Sequence, residues 1–556
     1  MAQDDRLRPA VIENHSQRFP ELPVDPGCLP AWEVDDLPEA QPPNYAKWWL
    51  LIGPGLVMAG GSIGTGEWVM GAKTAAQYQG ALFFVVILSI FGQVMLNTEA
   101  MRYTLATGEP MLTGFLRTKP GPRFWLLFYM VLDFGSWLPS LSALAAQIIL
   151  IAIKGMGPSD VMTDDLVNQV RMISYFVFVG CATMVLFGGK IYNTLEVVLG
   201  GKFIFVLVYL SFCCFMFVPW NIWFQMWSGL FDIRPERIMS GGEIDWTLIS
   251  ALAGFSGIGG LGNIVASNFV REKGWGMGGK VGAIPSAFGG HQIKLSHIGT
   301  ICRGGAETKR RFAVWWKYLV VDQYFLWAIG SLIGMMLPSM LGAAFLDPRP
   351  GEALNDWQWA AALAQDFGEA KGPIFRWLTL FCGLIIFIPG QFYVVDTVSR
   401  RWCDAIWSGT EMARRMEPGQ VRYLYYGIAT LYVLWGVTAL TVFSKLSGAG
   451  MMKIAGNMAN LSIATAILHA WYVNCRFLPV ELRPSLLKRL GMACSAGFFL
   501  SMFGLVFNQK ILPLVIDAPL RAGAAIGVVL TLMVLMALRE RALVTRQRRE
   551  WGVDTV

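Results

Sequence analysis

The sequence predicts an all-α polytopic membrane protein of about twelve transmembrane helices, and three observations predict it. Of 556 residues, 54% are hydrophobic and only 15% charged, where a soluble domain carries about 25% charged residues. Apolar runs long enough to cross roughly 30 Å of hydrocarbon as helices recur along the chain. Lys and Arg gather in alternate connections between those runs, as they do on the cytoplasmic side of a membrane. The 60 glycines and 22 tryptophans suit the same environment, glycine at close helix contacts and tryptophan at the two interfaces.

Residues 1 to 47 are polar and proline-rich and lack the basic start, apolar stretch and small-residue cleavage site of a secretory signal. The expectation is a soluble N-terminal tail, partly disordered. The apolar runs that follow cover 48 to 73, 81 to 101, 124 to 153, 172 to 188, 195 to 219, 246 to 270, 314 to 341, 374 to 396, 422 to 443, 449 to 473, 489 to 507 and 521 to 538. The fourth is short, and the tenth carries Lys453, Asn457, Asn460 and His469. With the N-terminus inside, the inner segments hold 31 Lys and Arg and the outer segments 12, while Lys202 and Lys317 fall within spans. This asymmetry predicts twelve spans in the plasma (inner) membrane with both termini cytoplasmic, including a tail from 539 to 556.

Several function classes are disfavoured. The nine cysteines form no CxxC pair and the four histidines (15, 291, 297, 469) no i,i+4 pair, so neither a zinc or redox motif nor a histidine-built metal site has its spacing. The net charge of +7 is dispersed in patches between apolar runs, which reads as topology signal and argues against nucleic acid. The loop from 271 to 313 runs through Gly274-Trp-Gly-Met-Gly-Gly279 to His291-Gln-Ile-Lys-Leu-Ser-His297 without a GxxxxGK[ST] phosphate loop. It reads as an inner cap or gate whose basic residues can meet lipid headgroups. No nucleophile-plus-base constellation marks an enzyme, and no bound cofactor is implied. The remaining classes are a secondary carrier of a small substrate and a transport-inactive receptor or scaffold on the same fold; oligomeric state is not encoded in any motif.

Two spans contain runs that a continuous helix would avoid. The first reads GPGLVMAGGSIGTGEW from Gly53 to Trp68 and the sixth AGFSGIGGLGNIVASN from Ala253 to Asn268. Each clustered glycine costs about 1 kcal/mol relative to alanine in a helix, and unwound backbone at membrane depth requires a protein-lined or wet cavity. The runs Ile63-Gly-Thr-Gly-Glu and Ile258-Gly-Gly-Leu-Gly-Asn resemble each other and open the first and sixth spans. This spacing suggests two five-helix repeats, 48 to 219 and 246 to 473, followed by two additional helices over 489 to 538. Interrupted helices at matching places in two halves point to a midplane substrate site. The candidate substrate-binding residues are therefore Gly64, Thr65, Gly66, Glu67, Gly257, Gly259, Gly260 and Asn263; tight helix packing is the competing explanation for the glycines.

These motifs resemble the Nramp family of proton-coupled divalent metal transporters. Gly53-Pro-Gly55 is followed after eight residues by Gly64-Thr65-Gly66-Glu67, where the family has Asp-Pro-Gly-Asn; Arg102-Tyr-Thr-Leu-Ala-Thr-Gly108 is similar to its RLGxxTG stretch, and Leu195-Glu-Val-Val-Leu-Gly-Gly201 to its LExxxGG. The resemblance covers the first to about the eighth span and implies a LeuT-type five-plus-five inverted repeat, symport of a metal cation, and a site on the first and sixth spans. The family's metal-binding Asp, Asn and Met positions are here Gly64, Glu67 and Gly260, and its sixth-span His is Gly262. Loss of the thioether that favours soft transition ions implies selectivity moved away from manganese and iron. Glu67 as the metal-binding carboxylate in a glycine-lined cavity suits a hard, partly hydrated ion such as magnesium. Gly60-Gly-Ser-Ile-Gly-Thr-Gly66 also resembles the GGxIGTG of amino-acid permeases, which keeps an amino acid or other organic zwitterion as the alternative substrate.

Glu67 has two readings, substrate ligand or buried ion pair with Lys202, whose charge occupies a sodium position in some relatives of this fold. Asp133, Lys317, Asp322 and Asp396 lie within spans, as members of a proton path or of structural pairs. Asn457 and Asn460 are read as interhelical hydrogen-bonding residues.

Overall fold

The computed structural model describes residues 24–41, 53–157, 160, 162–185, 191–233, 244–284, 294–346, 357–517 and 519–550. His291 and the start of the first run, 48 to 52, lie outside them. The helical spans follow the predicted order. The first is cut into Pro54–Ser62, Glu67–Gly71 and Ala72–Tyr78; Phe84–Thr107 is the second. The fourth and fifth are Asp164–Met184 and Ile191–Phe217. The sixth is Trp246–Phe255 and Val265–Lys273, bent by 52° at its break. The seventh runs Ala306–Phe345 and the eighth Pro373–Gly409. Val421–Val442, Gly448–Phe477, Leu486–Val506 and Pro519–Glu550 complete the series.

Among the described residues eight spans are individually long and apolar enough to cross a membrane, and the bent sixth makes a ninth. Pieces of the first span are too short to cross singly. The tenth and twelfth are continuous helices of 30 and 32 residues. The second span is 78% buried and the fourth only 22%, so the second forms the centre while the fourth presents residues such as Phe176 outward. Large apolar side chains on an outer face are at home in lipid.

The fourth span begins eight residues before its apolar run. Thr163 caps it by accepting from Leu166 N at 3.4 Å, and Asp164 and Asp165 occupy the first turn, where the helix dipole favours negative charge. The third departs from the expected continuous helix: it is Pro122–Leu132, a 3-10 turn Phe134–Trp137, and Ser140–Lys154. Pro139 has no N–H to continue the ladder, and Gly135 lies in the bend.

Part of the N-terminal tail is docked on the helices. Residues 24–41 are ordered over the Lys- and Arg-rich face, where strand Glu33–Asp35 pairs in parallel with Thr300–Cys302 of the loop between the sixth and seventh spans. Trp32 is fully buried, with the Arg117 guanidinium 3.7 Å from its ring centre. Arg117 donates to the carbonyls of Pro26 and Pro30 at 2.9 Å. From the seventh span, Arg311 reaches Leu37 O, Trp315 reaches Pro38 O and Tyr318 reaches Gln41 O, at 2.9 to 3.0 Å. A proline-rich segment forms few internal hydrogen bonds, so its backbone groups are satisfied by the helices beneath it.

Candidate transport site

The first break follows from backbone geometry at Gly64. Its φ of +83° is costly for any residue with a Cβ, and a Cβ there would lie 2.8 Å from the Ile386 side chain. Upstream, Asp322 of the seventh span caps the half-helix, accepting from Gly53 N at 2.9 Å and Gly55 N at 2.7 Å. Pro54 between them has no N–H to satisfy. Asp322 thus has a structural role as a cap. The sixth-span break extends from Ser256 to Ile264, with Gly259 at φ +82° and Gly260 at +56°. Its freed amides are not open: Gln93 Oε1, from the second span, accepts from Ile258 N at 3.1 Å and Gly259 N at 3.2 Å. Asn263 Nδ2 donates to Gly260 O at 3.2 Å.

The two breaks face one cavity of about 90 Å³. Gly61, Ser62 and Thr65 line it from the first span and Ile258, Gly259, Gly260 and Gly262 from the sixth. The bend of the third span adds Asp133 and Ser136, the eighth Gln391, Tyr393 and Arg401, and the tenth the thioethers Met452 and Met458. Asp133 is paired across the bundle: Arg401 Nη2 approaches its carboxylate to 2.6 Å and Trp402 Nε1 to 3.0 Å. Opposite charges therefore share one wall.

Of the residues singled out in the sequence, Thr65, Asp133, Gly259, Gly260 and Gly262 line this cavity. Gly64 and Gly66 shape the break; Gly257 packs beneath Gln93 and Trp327. Asn263 holds the sixth-span turn from a fully buried position. Glu67 is also fully buried, in the turn just beyond the first break, outside the cavity wall. Neither of its carboxylate oxygens has a hydrogen-bond partner.

The expected Glu67–Lys202 salt bridge is not formed. Lys202 Nζ instead donates to Gly61 O at 3.3 Å. Gly61 lies in the last turn of the first half-helix, whose carbonyls lose their amide partners at the break, and a cation is stabilised at such a C-terminus. Lys317 is exposed and Asp396 is held by Arg400 at 2.8 Å and Tyr425 at 2.6 Å. Asn457 and Asn460 donate to Thr247 O and Ser250 O of the sixth span, the interhelical bonding expected of them. The third-span contribution was missed by sequence reasoning. Its signal was present in Asp133-Phe-Gly-Ser-Trp-Leu-Pro139, where Gly and Pro interrupt an apolar run beside a charge.

No family model matches the chain. A stretch of 87 residues, 15% of this chain, is 30% identical to the divalent metal cation transporter MntH of Staphylococcus aureus strains JH9 and Newman. The chain spans about a fifth (19%) of the length of these curated relatives. Crystal structures of two single-residue variants of the Eremococcus coleocola manganese transporter share its fold, with TM-scores of 0.59 and 0.60 at 12% identity, covering 93% of this chain and 99% of theirs. The chain is an integral membrane protein that shares the fold of these manganese transporters over nearly its whole length, with the glycine-broken first and sixth spans lining its cavity.

Proposed function

We propose that the chain is a secondary active carrier of a divalent metal cation, with selectivity moved from manganese and iron toward a harder, partly hydrated ion such as magnesium. The observation that supports this most is the meeting of both helix breaks at one cavity with the unpartnered carboxylate of Glu67 directly behind the first. An ionised carboxylate buried without a partner is too costly to persist, so Glu67 holds either a proton or a cation, and exchanging one for the other is the elementary act of a cation–proton symporter. Among the described residues no cluster of three or more His, Cys, Asp and Glu forms a preorganised metal cage. That suits an ion which keeps several of its waters. The proteins it resembles are manganese and divalent-metal transporters by name, which supports a metal cation as the cargo.

In this reading the two repeats, 48 to 219 and 246 to 473, rock about the cavity while both termini stay in the cytoplasm of a plasma-membrane protein. Lys202, fixed on the half-helix end, supplies the positive charge that a coupling sodium would bring, so transport proceeds without sodium. Purified protein in liposomes tests the proposal: magnesium uptake driven by a proton gradient, weaker for manganese and lost in Glu67→Gln, is expected. Robust manganese uptake retained by Glu67→Gln would overturn it. A zwitterionic solute is the second reading, favoured by the Asp133–Arg401 pair on the cavity wall. Thermal stabilisation by amino acids and not by divalent cations would select it.

A further inference from the structure

A second cavity, of about 360 Å³, lies on the Lys- and Arg-rich face between the N-terminal segment, the connection after the second span and the ends of the tenth and twelfth spans. Arg117, Lys119, Arg476 and Arg541 line it against one carboxylate, Asp25. Arg117 is already committed, to Glu109 at 2.5 Å and to the tail carbonyls. Arg476 lies 3.2 Å from Asp25. Arg541 forms no salt bridge among the described residues, so the wall keeps an excess of positive charge. Tyr472, 52% exposed on the tenth span, also lines the cavity, as aromatic side chains do at the level of lipid headgroups.

We propose that this cavity binds a phosphate-bearing anion, and that at the membrane surface the anion is the headgroup of an acidic phospholipid. The volume of about 360 Å³ equals that of about twelve waters at ~30 Å³ each, room for a glycerophosphate group. Basic pockets between helices at the inner surface recognise such headgroups through charge-assisted hydrogen bonds. The site is independent of the transport cavity and of its cargo. It would make the docked tail responsive to lipid composition, because Asp25, Gly27 and Cys28 belong to its wall.

The test uses full-length protein in neutral detergent, with thermal unfolding followed after addition of phosphatidylglycerol, phosphatidylcholine or inorganic phosphate. Phosphatidylglycerol should raise the melting temperature and phosphatidylcholine should not. The double variant Arg541→Gln, Lys119→Gln should lose at least half of the shift, while Arg489→Gln, on the same face but outside the cavity, keeps it. If the double variant folds poorly, the single exposed substitution Arg541→Gln carries the test, with Arg541→Lys expected to restore the shift. A shift given by inorganic phosphate and lost in the same variants would support the anion site and assign it to a soluble phosphate. Equal phosphatidylglycerol shifts in wild type and variants, or no shift with either anion, would overturn the proposal.

Discussion

Glu67 is the residue whose environment constrains its chemistry most, because it is fully buried and both carboxylate oxygens are without a partner. Replacing it with Gln removes the cost of an isolated ionisable group, so Glu67→Gln should melt at or above the wild-type temperature while losing uptake. A large fall in stability would mean that the carboxylate is structural. Lys202 is expected to behave differently: Lys202→Met leaves Gly61 O without its donor and should cost about 1 to 3 kcal/mol, read by chemical or thermal unfolding. The two buried side chains make no hydrogen bond to each other, but their charges interact through space, so a double-mutant cycle should give a coupling of about 0.5 to 3 kcal/mol. A direct buried pair would instead make each single removal cost about 3 to 5 kcal/mol. Both residues were recognisable in the sequence as charges within apolar runs. Their separation was not, because which oxygen a lysine reaches depends on how the first half-helix ends and where the fifth span crosses it.

At the scale of elements, the breaks are stable because other helices satisfy what they expose. Asp322 caps the first half-helix through Gly53 and Gly55, and Gln93 accepts the amides of Ile258 and Gly259. Asp322→Ala should therefore cost about 2 kcal/mol, the upper range for a lost cap. Gln93→Leu leaves two buried amides unpaired and should cost about 1 to 3 kcal/mol for each group left unsatisfied, with transport impaired at temperatures where the protein stays folded. If Gln93→Leu unfolds and transports as wild type does, the sixth-span turn does not depend on this acceptor. The glycine runs announced both breaks in advance. Their caps come from residues about 165 and 270 positions away in sequence, as the span between Gln93 and Ile258 and between Asp322 and Gly53 shows, and no local pattern encodes such a partner.

At the scale of the whole molecule, the N-terminal segment binds together elements that are distant in sequence. Trp32 beneath Arg117 and beside Phe477 is its anchor, and Trp32→Ala should destabilise by about 3 to 5 kcal/mol, with proteolysis of the tail appearing before loss of the helical core. Ion pairs add a peripheral contribution: Lys280 to Asp35 at 2.9 Å and Arg310 to Glu39 at 3.0 Å. Lys280 holds Asp35 below the ordinary carboxylate range. Folded-state values lowered in this way stabilise above the unfolded carboxylate range and are lost as pH falls through the lowered values. Amide-exchange protection of residues 24–41 should therefore be flat from about pH 5 to 8 and decline below about pH 4. A decline between pH 6 and 8 would assign the docking to other groups.

The sequence by itself determined the membrane class, the order of the helical spans and the two glycine-broken spans. Those features depend on local composition: an apolar run of sufficient length has no stable place outside lipid, and clustered glycine weakens a helix wherever it occurs. Tertiary structure alone decided the bend of the third span into the cavity, the docking of a polar tail and the partner of each buried charge. The fourth span's start at Asp164 belongs to the same group, since its first polar turns carry no apolar signal. These outcomes rest on contacts between residues far apart in the chain, where burial turns an ordinary Asp, Gln or Lys into a cap or a counter-charge by leaving it one acceptor or donor within reach.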